Sequence, residues 1–416
     1  MRHDVAVVGA GAAGIIAAWR AASLGAKTVL LEKTSRIGTK ILISGGGKCN
    51  ITHDGPIEDV IRAFRPNEAR FIRPSCYRFT NRQIVRMLTD RGLHVYTRED
   101  GRIFPVDQTA KDVVAILRSY LVEAGVDIRL QAPVTDVLAD SGVVRGVCLG
   151  EATIESKTVV LASGGSSYPN SGTTGDGWPW AKKLGHSIVR IRAALAPIYL
   201  GLDDTSPRAG VALRDVVLKA RLGTKEIARW RNDVLFTHRG ISGPTALGIS
   251  RAVTEAMEHG EVTLEVDIAP DRTFEEFGSE LKGWCHANPR KQAQSFVEQL
   301  VPKSLVPDLL ASAGIPLETS VANFSQRARN RLVEVLKGWN LGPVRVVPLE
   351  KGECVAGGVS LDDVDPQTMA SKLVKGLYLC GEVLDIAGPV GGYNLQSAFA
   401  TGYVAGEEAA KAVMTP

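Results

Sequence analysis

Residues 9–14 of the sequence are Gly-Ala-Gly-Ala-Ala-Gly. This turn follows an apolar stretch, Asp4–Val8, that is typical of a buried parallel strand. It precedes Ile15–Leu24, which has the composition of a helix, and a second apolar stretch, Lys27–Leu31, then leads to Glu32. The order of strand, glycine turn, helix and strand predicts a β–α–β unit that binds a dinucleotide.

The spacing of the glycines and of Glu32 gives each residue an expected role. Gly9 permits the tight turn, Gly11 lets the backbone approach a pyrophosphate, and Gly14 lets the helix pack on the strand. The helix N-terminus favours the anion. Glu32 follows Gly14 by 18 residues, at the end of a strand, where its carboxylate can accept hydrogen bonds from ribose hydroxyls.

A second glycine-rich segment near the C-terminus indicates which dinucleotide is bound. A short strand, Leu377–Cys380, leads into Gly381-Glu382 and then into Gly388-Pro-Val-Gly-Gly-Tyr-Asn394, after which a helix begins. Such an element can direct a helix N-terminus at the pyrimidine end of a flavin, where the dipole stabilises negative charge on the reduced ring. The sequence has no second Gly-x-Gly-x-x-Gly unit, so no separate NAD(P)H domain is expected. The predicted cofactor is therefore FAD.

Composition and charge exclude several broad classes. The 416 residues are 44% hydrophobic, which is enough for two or three domains with ordinary cores. None of the six cysteines forms a Cys-x-x-Cys pair, so no metal site is predicted. The sequence lacks an N-terminal signal and a run of 18 apolar residues, so a cytoplasmic protein without membrane contact is expected.

The formal net charge of +4 is small, and a nucleic-acid partner is therefore disfavoured. One segment is nevertheless rich in arginine, and we interpret it as a solvated helical surface. Its arginines are Arg62, Arg65, Arg70, Arg73, Arg78, Arg82 and Arg86.

The predicted fold class is α/β, with a Rossmann-like FAD-binding domain split between the N-terminal and C-terminal parts of the chain. Residues 191–270 contain alternating and β-branched stretches such as Ala196–Leu202, which predict an inserted β-barrel. Residues 271–341 have helical periodicity broken by prolines, which predicts a small helical subdomain. The FAD-binding domain then comprises residues 1–190 and 342–416. Within it, residues 56–93 are expected to be helical, with breaks at Pro66 and Pro74.

Further motifs give the sequence a resemblance to one group of flavoproteins. They are Ile43-Ser-Gly-Gly-Gly-Lys-Cys-Asn50, Gly101-Arg-Ile-Phe-Pro105, Gly164–Gly177, Leu235-Phe-Thr-His-Arg-Gly-Ile-Ser-Gly-Pro244, and Gly381-Glu-Val-Leu-Asp385 leading to Gly391-Gly-Tyr-Asn-Leu395. Together with Gly9–Gly14 these resemble FAD flavoproteins of the two-dinucleotide-binding-domain type. The group is aminoacetone-oxidase-like and includes bile-acid-type enone reductases.

The resemblance implies which residues hold FAD. Ser44–Asn50 would wrap the flavin and its pyrophosphate with Lys40 close by, and Ala162–Gly164 would pass near the adenosine. Lys48 stands where the group commonly has arginine, so a point charge replaces a planar fork. The residues expected to bind FAD are Gly9, Gly11, Ala13, Gly14, Glu32, Lys33, Lys40, Ser44, Gly45, Gly46, Gly47, Cys49, Asn50, Val134, Ala162, Gly164, Gly381, Glu382, Gly392, Asn394 and Leu395.

Three side chains are candidate catalytic groups, each with a simpler structural interpretation. His238 is a candidate acid or base, or else it makes a structural hydrogen bond. Tyr168 is a candidate proton donor or stacking residue, or else it anchors its loop. Lys48 is a candidate partner of the reduced flavin or of a substrate carboxylate, or else it contacts a phosphate of FAD. Cys49 is interpreted as a small buried residue, with covalent flavin attachment as the alternative.

The predicted function is that of an FAD-dependent oxidoreductase, which transfers a hydride between flavin N5 and a small organic substrate. Two variants stay open: an amine oxidase that passes electrons to oxygen, and a reductase of a conjugated carbonyl that takes electrons from transiently bound NAD(P)H. The absence of a second nucleotide-binding unit slightly favours the oxidase. The alternative from another class is an FAD-binding, nucleic-acid-associated factor of the tRNA-modification type, which the arginine-rich segment motivates.

Overall fold

The computed structural model describes residues 3–201 and 208–414. Leu202, the last residue of one predicted strand, lies outside the described residues. The chain divides into two compact units. The first comprises Met1–Arg192 and Glu353–Pro416, and the second comprises Ala193–Gly352.

The N-terminal part of the chain alternates strands and helices around one sheet. Its elements are β1 (His3–Val8), α1 (Ala12–Ser23), β2 (Thr28–Leu31), α2 (Thr39–Ile43), β3 (Thr52–His53), α3 (Ile57–Arg62), α4 (Pro66–Arg78), α5 (Asn81–Thr89), β4 (Val95–Thr97), β5 (Arg102–Pro105), α6 (Ala110–Glu123), β6 (Asp127–Arg129), β7 (Asp136–Asp140), β8 (Val143–Leu149), β9 (Ala152–Leu161), α7 (Gly177–Lys183) and β10 (Ile188–Ala194). The sheet has the strand order β6–β2–β1–β9–β8–β7. Strands β6, β2, β1 and β9 are parallel, and β7 and β8 add an antiparallel meander.

The helices between residues 57 and 89 differ from the prediction at one proline. Pro66 begins α4, where its missing N–H costs no hydrogen bond, but Pro74 lies inside α4 and does not break it. The predicted break was therefore wrong. Phe71, Ile72 and Cys76 lie on the buried side of α4 around this proline, and their packing compensates for the hydrogen bond that Pro74 cannot donate.

The second unit contains a closed barrel and a group of helices. Its elements are β11 (Ile198–Leu200), β12 (Ala212–Leu222), β13 (Lys225–Thr237), β14 (Gly240–Ser242), α8 (Pro244–Ala256), β15 (Val262–Asp267), α9 (Phe274–Ala287), α10 (Gln294–Val297), α11 (Val306–Ser312), α12 (Gln326–Lys337) and β16 (Trp339–Val346). The barrel order is β11–β14–β13–β12–β15–β16, with antiparallel neighbours. The predicted inserted barrel is confirmed. Strand β16 closes the barrel but follows the helices in the chain. The division into a barrel domain of residues 191–270 and a helical subdomain of residues 271–341 therefore stays a prediction.

The chain then returns to the first unit through β17 (Cys354–Val359), β18 (Leu377–Leu379) and α13 (Tyr393–Met414). Strand β18 pairs in parallel with β9, so both ends of the chain contribute to one sheet, as the split Rossmann-like fold predicts. Helix α13 lies directly on α1: a Cβ atom at Gly402 would be 2.3 Å from the carbonyl oxygen of Ala13. This close approach packs the middle of α13 against the first turn of α1.

Candidate functional site

The turn between β1 and α1 needs glycine for two different reasons. A Cβ atom at Gly9 would lie 2.6 Å from the carbonyl oxygen of Ala162, and one at Gly14 would lie 1.8 Å from that of Gly9. A Cβ atom at Gly11 would meet no atom within 4 Å. Packing of the turn therefore requires Gly9 and Gly14, whereas Gly11 borders open space.

The same open space lies at the N-terminus of α1. Gly11 is the N-cap of this helix, no side chain caps it, and its first turn has no acidic residue. The first backbone N–H groups of a helix have no partner within the helix, and together with the helix dipole they attract an anion. The geometry thus fits the pyrophosphate of FAD at the place where the motif predicts it.

Glu32 lies beside this turn and connects two segments. Its carboxylate accepts hydrogen bonds from the backbone N–H groups of Ala10 and Thr34, each at 2.8 Å. Its own carbonyl accepts a bond from the N–H of Ala132 at 2.9 Å, which brings the half-buried Val134 alongside. Each carboxylate oxygen keeps a second lone pair, so Glu32 can accept from ribose hydroxyls while it holds the turn.

The loop Ser44–Asn50 curls tightly after α2. Gly45, Gly46 and Gly47 have φ values of 56°, 68° and 87°, and Cys49 shares this left-handed conformation with a φ of 63°. A Cβ atom at Gly46 would meet nothing within 4 Å, so this glycine also faces open space. The N–H groups of Lys48 and Cys49 bond back to the carbonyls of Gly45 and Ser44, so the loop is a closed turn with Gly46 toward open space.

Cys49 is fully buried in this loop. Burial raises the pKa of its thiol to about 12. The thiol therefore stays protonated at neutral pH and is not the reactive thiolate. This agrees with the interpretation of Cys49 as a packing residue.

The C-terminal loop before α13 packs against β3. A Cβ atom at Gly392 would lie 2.6 Å from the backbone of Thr52, so no larger residue fits there. The side-chain amide of Asn394 accepts from the N–H of Gly388 at 2.8 Å and donates to the carbonyl of Gly388 at 3.0 Å. Asn394 was predicted to contact the flavin, and in the structure its amide shapes the loop. Leu395 follows it in the first turn of α13 and is half-buried.

Two loops meet around Gly392. In the orientation that satisfies both of its amide groups, Asn50 accepts from the N–H of Gly392 at 3.0 Å and donates to the carbonyl of Thr52. Gly381 has a φ of 73°, and a Cβ atom there would lie 2.8 Å from that of Ala13. The predicted FAD-binding residues from both ends of the chain thus lie close together.

The loop after β9 contains buried hydroxyl groups without partners. Among the described residues, the Oγ atoms of Ser163 and Ser166 are buried and make no hydrogen bond. Unpaired buried hydroxyls are costly, so such groups indicate a missing partner. At the other side of this loop, Lys33 is paired with Asp176 and donates to Thr174. The loop therefore offers free donors that a cofactor can satisfy.

Lys40 connects three segments of the first unit. Its Nζ donates to the Oγ of Ser167 at 2.6 Å and to Oε2 of Glu382 at 2.7 Å. The other oxygen of Glu382 accepts from the N–H of Val355 at 3.0 Å. Gly164 lies here too, with a φ of 75°, and a Cβ atom at this glycine would lie 4.0 Å from Oε2 of Glu382. Lys40 and Glu382, both predicted to bind FAD, thus hold the walls of the site in place.

We expect Lys40→Met to lower the free energy of unfolding of the FAD-free protein by about 1–3 kcal/mol, because it leaves the carboxylate of Glu382 without its charged donor. Only 26% of the Lys40 side chain and 19% of that of Glu382 are exposed. The matched control is Lys183→Met, which removes an ion pair to Asp136 at a side chain that is 65% exposed. That pair should contribute less than about 1 kcal/mol. Urea unfolding measures both, and equal losses would contradict the expectation.

Two side chains near Lys40 bear on proton transfer. Glu353 is exposed to solvent, but partial desolvation raises the pKa of its carboxyl, while the charges of Lys40 and Arg102 oppose that rise. Burial, and secondly the charge of Glu353, raise the pKa of Tyr168. Tyr168 is 38% exposed and has a left-handed backbone with a φ of 50°, a conformation that is costly for a bulky residue. The charge of Glu353 therefore acts on the phenol of Tyr168.

The sequence analysis missed Glu353, because no motif contains it. The available signal was an acidic residue immediately before the apolar run Cys354–Val359. It also missed His53, whose ring stacks on that of Tyr393 with centroids 4.8 Å apart. His53 gives no local signal, since its contact is to the opposite end of the chain.

The three candidate catalytic residues have different surroundings. Lys48 is exposed in the Ser44–Asn50 loop, and Tyr168 lies beside Glu353 in the same unit. His238 belongs to the second unit, where it is exposed in the turn between β13 and β14. The structure therefore places Tyr168 in the same unit as Lys40 and Glu382, and His238 in the second unit.

In the described parts of the chain, no three metal-ligating side chains lie close enough to hold an ion. Within those parts, the helices are also too short or too polar to cross a bilayer.

The fold and the cradle around Gly11 define a Rossmann-type FAD-binding flavoprotein. Residues 3–408 match the model of the HI0933-like protein Rossmann domain family, and the chain belongs to that family. It is an FAD-dependent oxidoreductase. The family match does not extend to the finer assignment to an aminoacetone-oxidase-like group.

Two relatives match along nearly the whole chain. The ribosomal RNA dihydrouridine synthase of Haemophilus influenzae is 32% identical over 404 residues, which covers 95% of this chain and 96% of that protein. The 3-dehydro-bile acid delta(4,6)-reductase of Clostridium scindens is 29% identical and covers 98% and 99%. The structure of 3-ketosteroid-delta4-(5alpha)-dehydrogenase from Rhodococcus jostii RHA1 shares the fold, with a TM-score of 0.53, 16% identity and coverage of 98% and 97%.

Proposed function

We propose that this protein saturates a carbon–carbon double bond that is conjugated to a carbonyl group. The observation that carries the proposal is that two relatives matching along the whole chain are named for such reactions. Dihydrouridine is uridine whose ring double bond, conjugated to a carbonyl, has been reduced, and a bile-acid delta(4,6)-reductase reduces double bonds conjugated to a ketone. Of the two variants that the sequence analysis left open, the proposal is therefore the reductase of a conjugated carbonyl and not the amine oxidase.

The residues around Gly11 and Ser44–Asn50 are proposed to hold FAD. In support, the N-terminus of α1 is uncapped beside open space, and the hydroxyls of Ser163 and Ser166 lack partners among the described residues. The ion pair of Lys40 with Glu382, and the bond from the N–H of Val355 to Glu382, hold the adjoining segments together. When bound and reduced, FAD supplies a hydride to one carbon of the double bond.

The second carbon of the double bond needs a proton, and Tyr168 is the proposed donor. An ordinary tyrosine is already protonated at neutral pH, and the raised pKa of Tyr168 keeps its phenol protonated further into the alkaline range. The negative charge of the nearby Glu353 is proposed to help keep this phenol protonated, and solvent reprotonates Tyr168 after each reaction. The positive charge of Lys40 stabilises the carboxylate of Glu353 and so opposes the rise of its pKa. His238 is not given a role in this step.

The substrate chemistry has two candidate sources, a uracil base within RNA and a small enone such as a steroid. NAD(P)H is proposed as the electron donor, and it would bind only transiently because the sequence has no second dinucleotide motif. Oxygen is the competing acceptor.

We expect the reduced holoenzyme to be reoxidised by a conjugated acceptor in the absence of oxygen. The flavoprotein is reduced anaerobically with NADPH, and a parallel sample is reduced photochemically. Each is mixed with a 3-keto-4-ene steroid, with deproteinised ribosomal RNA, or with buffer, and the return of oxidised flavin absorbance is followed by stopped flow. Recovery with either acceptor, together with the saturated product, supports the proposal and identifies the source.

Three other outcomes have distinct meanings. If NADPH leaves the flavin oxidised while the photoreduced enzyme reacts with an acceptor, the proposed donor is wrong and the reaction stands. If the photoreduced flavin stays reduced with both acceptors and reoxidises only in oxygen, the proposed reaction is wrong. Bleaching of the oxidised flavin by small amines would instead favour an oxidase.

A further inference from the structure

The consecutive helices α4 and α5 carry exposed arginines that no acidic residue of the described chain pairs with. Arg70 and Arg73 on α4 and Arg82 on α5 are exposed, and none of them has an ion-pair partner among residues 3–201 and 208–414. Neighbouring arginines differ in this respect: Arg62 is paired with Asp59, and Arg86 with Asp90 at 3.5 Å. We call Arg70, Arg73 and Arg82 the arginine face.

The composition of this segment distinguishes it from an ordinary solvated helix. Residues 62–86 contain seven arginines and no lysine. The guanidinium group binds phosphate through two parallel hydrogen bonds and also stacks on planar rings, neither of which an ammonium group does as well. An exposed helix that needs only solubility has no reason to exclude lysine. The bias therefore points to recognition of planar or phosphate-bearing partners.

An aromatic side chain completes the surface. Tyr77 is 48% exposed on α4. It follows Arg70 by seven residues and Arg73 by four, so the three side chains lie on one side of the helix. Exposed aromatic rings between arginines are the arrangement on which unstacked bases rest in single-stranded nucleic-acid sites. A lipid surface or an acidic peptide would not need this ring.

Hydrogen bonds connect the helices of the arginine face to β3 and to the start of α13. The side-chain amide of Asn81 donates to the carbonyls of His53 at 2.8 Å and Gly55 at 3.0 Å. Gln396, in the first turn of α13, donates to the carbonyl of Phe79 at 3.0 Å. Phe64 packs edge-to-face on Tyr393, with ring centroids 6.2 Å apart. An RNA chain held on α4 and α5 would therefore lie beside β3 and the loop Gly388–Asn394, which the sequence predicts to reach the pyrimidine end of the flavin.

We propose that the arginine face binds the phosphate backbone of single-stranded or loop RNA, and so delivers a uracil to the reductase site. This inference rests on the proposed function. A uracil must leave its stack to be reduced, and it is only a small part of the polymer, so affinity has to come from contacts outside the site. Arg70, Arg73 and Arg82 supply such contacts without reading the base sequence.

The test measures RNA binding by the FAD-loaded enzyme without turnover. A fluorescein-labelled oligouridine is titrated with wild type and with the variant Arg70→Gln, Arg73→Gln, Arg82→Gln across a range of KCl concentrations. Loss of three phosphate contacts should lower the slope of log K against log salt by about 2, since each contact to a single strand contributes about 0.7. We expect the affinity in low salt to fall at least about 10-fold.

The control carries the same change in net charge at arginines that are already neutralised. It combines Arg145→Gln, Arg229→Gln and Arg331→Gln, whose side chains are 58%, 63% and 59% exposed and pair with Asp140, Glu226 and Glu334. Its salt slope should stay close to that of wild type. Flavin content and the thermal unfolding midpoint establish that both triple variants are folded.

Several results would overturn the inference. These are equal losses in the two triple variants, a wild-type enzyme with no salt-dependent RNA affinity, and strong binding to polyglutamate or to anionic vesicles but not to RNA. Because binding is read without hydride transfer, such a failure leaves the proposed reduction untouched. Conversely, an enzyme that binds RNA through these arginines but reduces no conjugated acceptor would reject the proposed function alone.

Discussion

Gly11→Ala is expected to raise the Kd for FAD about 10- to 100-fold while the FAD-free protein remains as stable as wild type. A methyl group at this position meets no atom within 4 Å, and the backbone φ of −79° is one that alanine adopts readily. Protein packing therefore gives no reason for glycine here. If the pyrophosphate occupies this space, the methyl group overpacks it at a cost of about 1–3 kcal/mol, which is a 10- to 100-fold loss of affinity.

Two companion variants separate cofactor binding from folding. In Gly14→Ala the new Cβ would lie 1.8 Å from the carbonyl oxygen of Gly9, so the turn itself must shift and stability should fall together with FAD affinity. Gly278→Ala places a methyl group in open space on α9, in the second unit, and should leave FAD binding unchanged. Flavin fluorescence titration and thermal unfolding of the apoproteins measure the two effects. Wild-type FAD affinity in Gly11→Ala would remove the pyrophosphate from this position.

These glycines illustrate what could be predicted from the sequence. The order of strand, turn, helix and strand is local, and Gly9, Gly11 and Gly14 lie within six residues, so spacing alone indicates their arrangement. The spacing does not reveal that Gly9 and Gly14 are required by close backbone packing, whereas Gly11 borders open space that a ligand can occupy. That distinction depends on Ala162, which lies far along the chain.

The split domain was predictable for a related reason. The apolar run that forms β18 lies just before a glycine-rich turn near the C-terminus, and its pairing with β9 returns the chain to the first sheet. Closure of the barrel was harder to place. Strand β16 is separated from β15 by the helices α9–α12, and a strand that completes a barrel after a long helical excursion has no local mark of its partner.

Tyr168 and Lys40 could be named from their motifs, but their connection to Glu353 could not be predicted, for the same physical reason. Glu353, Lys40 and Tyr168 come from three segments that are distant in sequence, and their electrostatic coupling exists only after folding. His238 shows the converse. It lies in a motif typical of the family. The motif does not indicate in which unit the side chain lies, and the structure places it in the second unit.

Replacing Tyr168 by phenylalanine is expected to slow reduction of the conjugated acceptor about 10²- to 10⁴-fold, because it removes the proposed proton donor. Reduction of the flavin by NADPH should be unchanged, since that half-reaction needs no proton from Tyr168. Stopped-flow traces of the two half-reactions measure each rate separately. The control is Tyr96→Phe, which removes the hydroxyl of a tyrosine that is 41% exposed and has no proposed role in proton transfer. Equal rates in Tyr168→Phe and wild type would exclude the donor role.

The pH dependence then tests whether Glu353 acts on Tyr168. Burial raises the pKa of Tyr168 first, and the negative charge of Glu353 raises it further. At the alkaline pH where the phenol titrates, Glu353 is ionised, so Glu353→Gln removes a charge that disfavours the phenolate. The pKa of Tyr168 should therefore fall, and the alkaline loss of acceptor reduction should begin at a lower pH than in wild type. If Glu353 had a merely structural role, Glu353→Gln would lower the rate at every pH, and the alkaline decrease in rate would begin at the same pH as in wild type. Only a shift of this alkaline decrease to lower pH fits a proton donor that the charge of its neighbour keeps protonated.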